Sequence, residues 1–150
     1  MSTSVNFDEI QIGDRLPEFV RTTHFAEWNR YAAVNDEFIP IHMDDEAGRA
    51  AGNENGAFGM GNLRLAYVVN MLRAWAGDDG EIRSLTLQYR SLNQKDDELR
   101  CVAEVTGKEV VDGLSLVHLK VDVLDQDGAS TTPGEATVAV AGPWTELHGG

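Results

Sequence analysis

Residues 31–61 of this chain read YAAVNDEFIPIHMDDEAGRAAGNENGAFGMG and gather most of the groups able to do chemistry. Two adjacent acids, Asp36 and Glu37, close a helix-like run. A single histidine, His42, follows the short apolar stretch Phe38-Ile39-Pro40-Ile41, and a Gly-rich turn from Gly56 to Gly61 then opens a long apolar helical pattern. A carboxylate and an imidazole can exchange protons with a substrate near neutral pH. Free N–H groups at a helix start can hold an oxygen on which negative charge develops. Together these are the parts needed to move a proton beside a carbonyl. The two acids also oppose the helix macrodipole at that end, and local rules of this kind tend to be broken at functional sites.

Other candidates have plainer readings. Asp44 precedes Asp45-Glu46 and reads as the N-cap of a second short helix that Gly52 stops. Gly59 is either an open N–H at a helix entry or a close-packing residue. Arg64 and Arg73 interrupt an otherwise apolar helix and read as side chains snorkelling at its edge, with a partner subunit or a ligand phosphate as the alternative contact. His24, His118 and His148 have no motif around them. No spacing of His, Cys and carboxylates suggests a metal site, and there is no Gly-x-Ser-x-Gly elbow or P-loop. The one cysteine, Cys101, sits in a strand-like run and reads as a small core residue.

Several elements must position these groups. A short extended segment is expected over 15–21. Thr23 is a plausible N-cap for a helix over about 24–35, with Phe25, Trp28, Tyr31 and Ala32 on one apolar face. The step into Pro40 favours extended backbone at Ile39. Residues 59–76 form the longest helical pattern, apolar nearly all round and hence expected to be buried. Stretches 82–92, 98–111, 114–125 and 129–141 are rich in Val, Leu and Thr, and Asp112-Gly113 and Asp127-Gly128 are hairpin signals. Helices followed by a meander of long strands give an α+β order. The sheet needs cover for one apolar face, and the helix over 59–76 is its natural partner. The tail from Pro143 to Gly150 reads as irregular.

The chain has 150 residues, 42% of them hydrophobic, which suits one domain spanning 1–150 with its own core. A formal net charge of −13 would repel nucleic acid and anionic membrane. A polyanionic substrate would need a local basic patch assembled from scattered arginines. No apolar run is long enough to span a bilayer. The start, MSTSVNFDEIQIGD, has neither a basic nor an apolar leader region, so the expected location is the cytoplasm.

Over most of its length the sequence resembles the MaoC-like dehydratases, the (R)-specific enoyl-CoA hydratase group with the hot-dog fold. The opening FDEIQIGDRLPEF resembles that family's entry strand. The family's signature runs roughly Tyr/Phe-Ala-x-x-Ser-Gly-Asp-x-Asn-Pro-Ile/Leu-His-x-Asp, followed by a His-Gly-Met turn before the central helix. Here the first piece runs from Tyr31 through Asp36, Glu37, Pro40 and His42 to Asp44, and the second is Ala57-Phe58-Gly59-Met60. Glu37 stands where the family has Asp, Asp36 where it has Gly, Ile39 where it has Asn, Asn35 where it has Ser, and Phe58 where it has His.

The resemblance implies a curved antiparallel sheet wrapped around a long central helix. It implies water addition to the C2–C3 double bond of a trans-2-enoyl-CoA, or its loss from an (R)-3-hydroxyacyl-CoA. Without gaps, the acid falls on Glu37, the imidazole on His42 and the oxyanion donor on Gly59. A one-residue bulge would put Asp36 in place of Glu37. No cofactor is implied beyond the CoA that the substrate carries, and CoA suits this acidic chain better than an acidic carrier protein. The family's pairing habit implies a homodimer, or a heterodimer with another MaoC-like chain in which this subunit has weak or no activity of its own. A hot-dog thioesterase is disfavoured, because residues 59–76 contain no Asp or Glu. The acyl chain is not legible.

Overall fold

The computed structural model describes residues 5–141. A five-stranded antiparallel sheet has the order β1-β3-β4-β5-β2, from β1 (Phe19–Thr22), β2 (Glu81–Leu87), β3 (Glu98–Val111), β4 (Leu114–Leu124) and β5 (Gly134–Val140). Three helices precede β2: α1 (Phe25–Asn35), α2 (Asp45–Ala50) and α3 (Gly61–Ala76). The sheet curls around α3, the hot-dog architecture expected from the sequence.

Side-chain alternation explains the curl's interior. Along β3 and β4, Leu99, Cys101, Ala103, Val105, Val117, Leu119, Val121 and Val123 point inward and are buried. Val68, Met71, Leu72 and Ala76 of α3 fill the space they enclose. Each fully buried side chain of Val or Leu size contributes about 1.5–3 kcal/mol, so this contact dominates the fold. Cys101 is a core residue as expected, and burial pushes its thiol up to about 12. A second cluster, Trp28, Ala32, Ala57, Met60 and Leu63, fastens α1 to the start of α3.

Several boundaries differ from expectation. α1 begins at Phe25 with His24 as its cap residue, because the Thr23 side chain is drawn inward to Asn93 instead of capping. The expected strand over 82–92 stops at Leu87. There its partner reaches Pro133, which has no N–H for the ladder; pairing continues irregularly through Gln88 N–H to Pro133 O and Arg90 N–H to Thr131 O. Asp112 and Gly113, at φ 51° and 80°, make the tight hairpin that their types signal. The Asp127-Gly128 turn sits within a longer loop. Arg64 does not snorkel: it is buried, donating to Ser91 O at 2.7 Å and Thr132 Oγ1 at 3.0 Å. Arg73 is exposed. The tail from Pro143 to Gly150, read as irregular in the sequence, lies outside the described residues. No described helix is long and apolar enough to cross a membrane.

Candidate active site at the start of the central helix

The end of α1 sets the exposure of the two acids. Asp36 caps the helix in the left-handed region, at φ 52° and ψ 42°, with its N–H on Ala32 O. The Glu37 N–H also reaches Ala32 O, at 2.9 Å. A glycine fits such a helix end without a Cβ penalty. Asp36 therefore occupies glycine-like backbone directly before Glu37. The Asp36 side chain is exposed, whereas Glu37 is half-buried and its charge helps raise the Tyr31 phenol. Burial is the larger cause of that rise. Asp36→Gly should accordingly stabilise the fold by about 0.5–1 kcal/mol, read as a later denaturation midpoint with unchanged turnover. Lost turnover would place Asp36 in the site.

His42 is held from both sides of a short 3-10 turn, Pro40–His42. Ile39 before it is extended, at φ −99° and ψ 123°, as the following proline requires. The imidazole is 8% exposed. Its Nδ1 lies 2.6 Å from the carbonyl oxygen of Phe58. A carbonyl only accepts, so Nδ1 carries the hydrogen and the neutral ring keeps Nε2 as a proton acceptor. The Phe58 ring stands edge-on at 5.4 Å, and the Phe58 N–H returns to Ile41 O at 3.2 Å. Histidine and turn are thus locked as one unit.

The segment behind that turn is fixed by small residues and charge. Asp44 is the N-cap of α2, accepting from the N–H groups of Glu46 and Ala47. The Asp45 carboxylate accepts from Lys95 at 2.6 Å and from the Ala57 N–H at 3.0 Å, and these bonds hold its pKa below the usual carboxylate range. Asn53 and Gln94 exchange two amide hydrogen bonds, and Asn53 also donates to Gly56 O.

Gly59 is a packing residue. A Cβ there would lie 2.2 Å from Asn93 Oδ1 and 2.7 Å from Trp28 Nε1. Its N–H, expected to be open for an oxyanion, donates to Asn93 O at 2.7 Å. The reason is tertiary: Asn93, far away in sequence, is buried here with its side chain accepting from Thr23. Among the described residues the N–H groups of Met60, Gly61 and Asn62 donate to no protein acceptor. Above them, the Tyr89 ring sits 3.0 Å from where a Gly61 Cβ would be, with the Arg64 guanidinium 5.1 Å from the ring centroid. Burial raises the Tyr89 phenol and lowers the Arg64 pKa.

The MaoC-like domain family model matches residues 11–126. The chain belongs to the MaoC-like domain family. Its fold is similar to that of solved members. The (R)-hydratase from A. caviae involved in PHA biosynthesis has 22% identity and TM-score 0.77, over 89% of this chain and 98% of that one. The R-hydratase PhaJ1 from Pseudomonas aeruginosa has 21% identity and TM-score 0.77, over 91% and 85%. The ChsH1-ChsH2 complex from Mycobacterium tuberculosis has 22% identity and TM-score 0.76, over 87% and 98%. No curated protein matches the chain in sequence.

In this MaoC-like chain, the structure joins His42 to the Phe58-Gly59 turn and places Glu37 after the glycine-like bend. It leaves Asp36 in solvent and engages the Gly59 N–H. The sequence reading missed Asn93, Lys95 and Tyr89, which lie in and before the link to β3. Their only sequence signal is a polar run, Asn93 to Asp97, at a strand boundary. Among the described residues no cluster suits a metal ion. A groove of about 670 Å³ runs between α1 and α3, from Asn62 and Tyr31 toward Asn70.

Proposed function

We propose that this chain hydrates trans-2-enoyl-CoA thioesters, or dehydrates the (R)-3-hydroxyacyl-CoA in reverse. The observation that carries this reading is the buried His42, whose Nδ1–H is committed to Phe58 O while Nε2 stays an acceptor. In hydration, the oxygen of water bonds to C3 as its proton passes to one protein group, and another proton is delivered to C2. His42 is suited to take the water proton through Nε2, and Glu37 is the second group. Asp36 is the lesser candidate because its side chain faces solvent. The oxyanion role assigned to Gly59 passes to the open N–H groups at the start of α3, where the helix dipole favours negative charge.

The test is hydration of crotonyl-CoA and a longer 2-enoyl-CoA by the purified chain, followed by loss of enoyl absorbance. Glu37→Gln should lower turnover by about 10²–10⁴-fold, and Asp36→Asn should not. The reverse ranking would move the acid to Asp36. Release of free CoA thiol instead would indicate a thioesterase, which the absence of an acid on α3 disfavours.

A second reading has a specific support. The chain shares its fold with a two-component complex, and among the described residues β1 and β2 leave open sheet edges, which invite pairing with another chain. In that case the chain would pair with a second MaoC-like subunit and shape its acyl pocket. Inactivity alone, with activity gained on adding that subunit, would favour this reading; turnover by a homodimer would exclude it. Either form would act in the cytoplasm.

A further inference from the structure

The groove between α1 and α3 carries unexpected charge. In a chain of net charge −13, it is walled by two arginines, Arg21 of β1 and Arg30 of α1. Arg21 shares a strand face with Phe19, whose ring packs 5.5 Å from that of Tyr67 on α3. Arg30 shares a helix face with Glu27, Tyr31 and Val34. Both arginines line the groove together with Tyr67; burial and the Glu27 charge raise the Tyr67 phenol, and the two guanidinium groups oppose that rise. Among the described residues neither forms an ion pair within 4.0 Å. Arg21 spends one nitrogen on its neighbour Val20 O and lies over the Phe19 ring. Glu27 is the one acid on the groove, and its carboxylate is tied to the His24 N–H at 2.9 Å. The far end carries Asn70 instead of an apolar side chain. From Asn62 to Asn70 the groove follows α3 for roughly 12 Å, a span suited to an extended chain.

We propose that this groove seats an anionic end of the acyl thioester, held by Arg21 and Arg30. Unpaired guanidinium groups in a water-accessible cleft favour carboxylate or phosphate through charge-assisted hydrogen bonds. A purely aliphatic tail would gain nothing from them and would press against Asn70. Two parts of such a ligand carry this charge: a carboxylate at the end of the acyl chain, and the phosphates of CoA. The inference rests on the hydratase reading for the identity of the ligand, and the experiment below separates the two.

The experiment compares the wild type with the Arg21→Gln/Arg30→Gln double variant, after equal thermal midpoints show that both are folded. Calorimetry gives binding of butyryl-CoA and glutaryl-CoA, which cannot be hydrated. Turnover is followed with crotonyl-CoA, glutaconyl-CoA and the same acyl groups on N-acetylcysteamine, which has no phosphates. The double variant should bind or turn over the anionic ligand about 10–100-fold less well. A loss confined to the carboxylated acyl groups on either carrier assigns the arginines to the acyl end. A loss on both CoA esters that vanishes on N-acetylcysteamine assigns them to the phosphates. Unchanged binding and turnover for every ligand overturns the proposal while leaving the hydratase reading intact. No turnover by the wild type, with binding still weakened in the variant, keeps the groove and removes the hydratase assignment. No binding and no turnover by the wild type removes both.

Discussion

His42→Asn is expected to lower kcat/KM for a 2-enoyl-CoA by about 10²–10⁴-fold with only a small loss of stability. The reason is the division of labour on the ring. Nδ1–H satisfies the Phe58 carbonyl, and Nε2 is free for water. The amide nitrogen of Asn can still donate to Phe58 O but has nothing in place of Nε2. His42→Ala removes both functions. It should lose the same activity and, by leaving a buried carbonyl without a donor, a further 1–3 kcal/mol or so of stability. Turnover and thermal unfolding of the two variants, measured side by side, separate chemistry from packing. Undiminished turnover in folded His42→Asn would sink the assignment.

Gly59→Ala should destabilise the fold by about 3 kcal/mol, because added volume in a packed interior forces its neighbours to shift. For a chain of this size that is a fall of roughly 6–12 °C in thermal midpoint. The added methyl would meet Asn93 Oδ1 and the Trp28 indole, both side chains buried and one held by Thr23. The backbone at Gly59 is not left-handed, so the cost comes from contact alone. Gly128→Ala makes an informative contrast: at φ 78° with nothing near its Cβ, it pays only backbone strain. In an Asn93→Ala background the Gly59→Ala penalty should shrink, since the two sites share one contact. A midpoint within 2 °C or so of wild type for Gly59→Ala would show that the Asn93 side chain yields easily.

Much of this was legible in the sequence because it is local or periodic. The apolar, acid-free run at 59–76 could only be a buried helix, and the Val-rich alternation after it could only be strands needing cover. Asp44 as a cap and Ile39 as extended backbone follow from one-residue rules, and both hold. The quoted motif carried the family. Tertiary structure decided matters that depend on partners distant in the chain. Asn93 reaches Gly59 and Thr23 across intervals that no spacing rule spans, and so engages one N–H and takes the Thr23 hydroxyl that was expected to cap α1. Asp36 and Glu37 are indistinguishable as residue types; at the left-handed turn one is exposed and the next half-buried. Arg21 and Arg30 look like unremarkable surface charges until an edge strand and a helix bring them to one groove. The sequence by itself determined the elements and the family, since propensity and motif act over a few residues. Which donors stay open and where charge gathers had to wait for the fold, because hydrogen bonds and fields act through space.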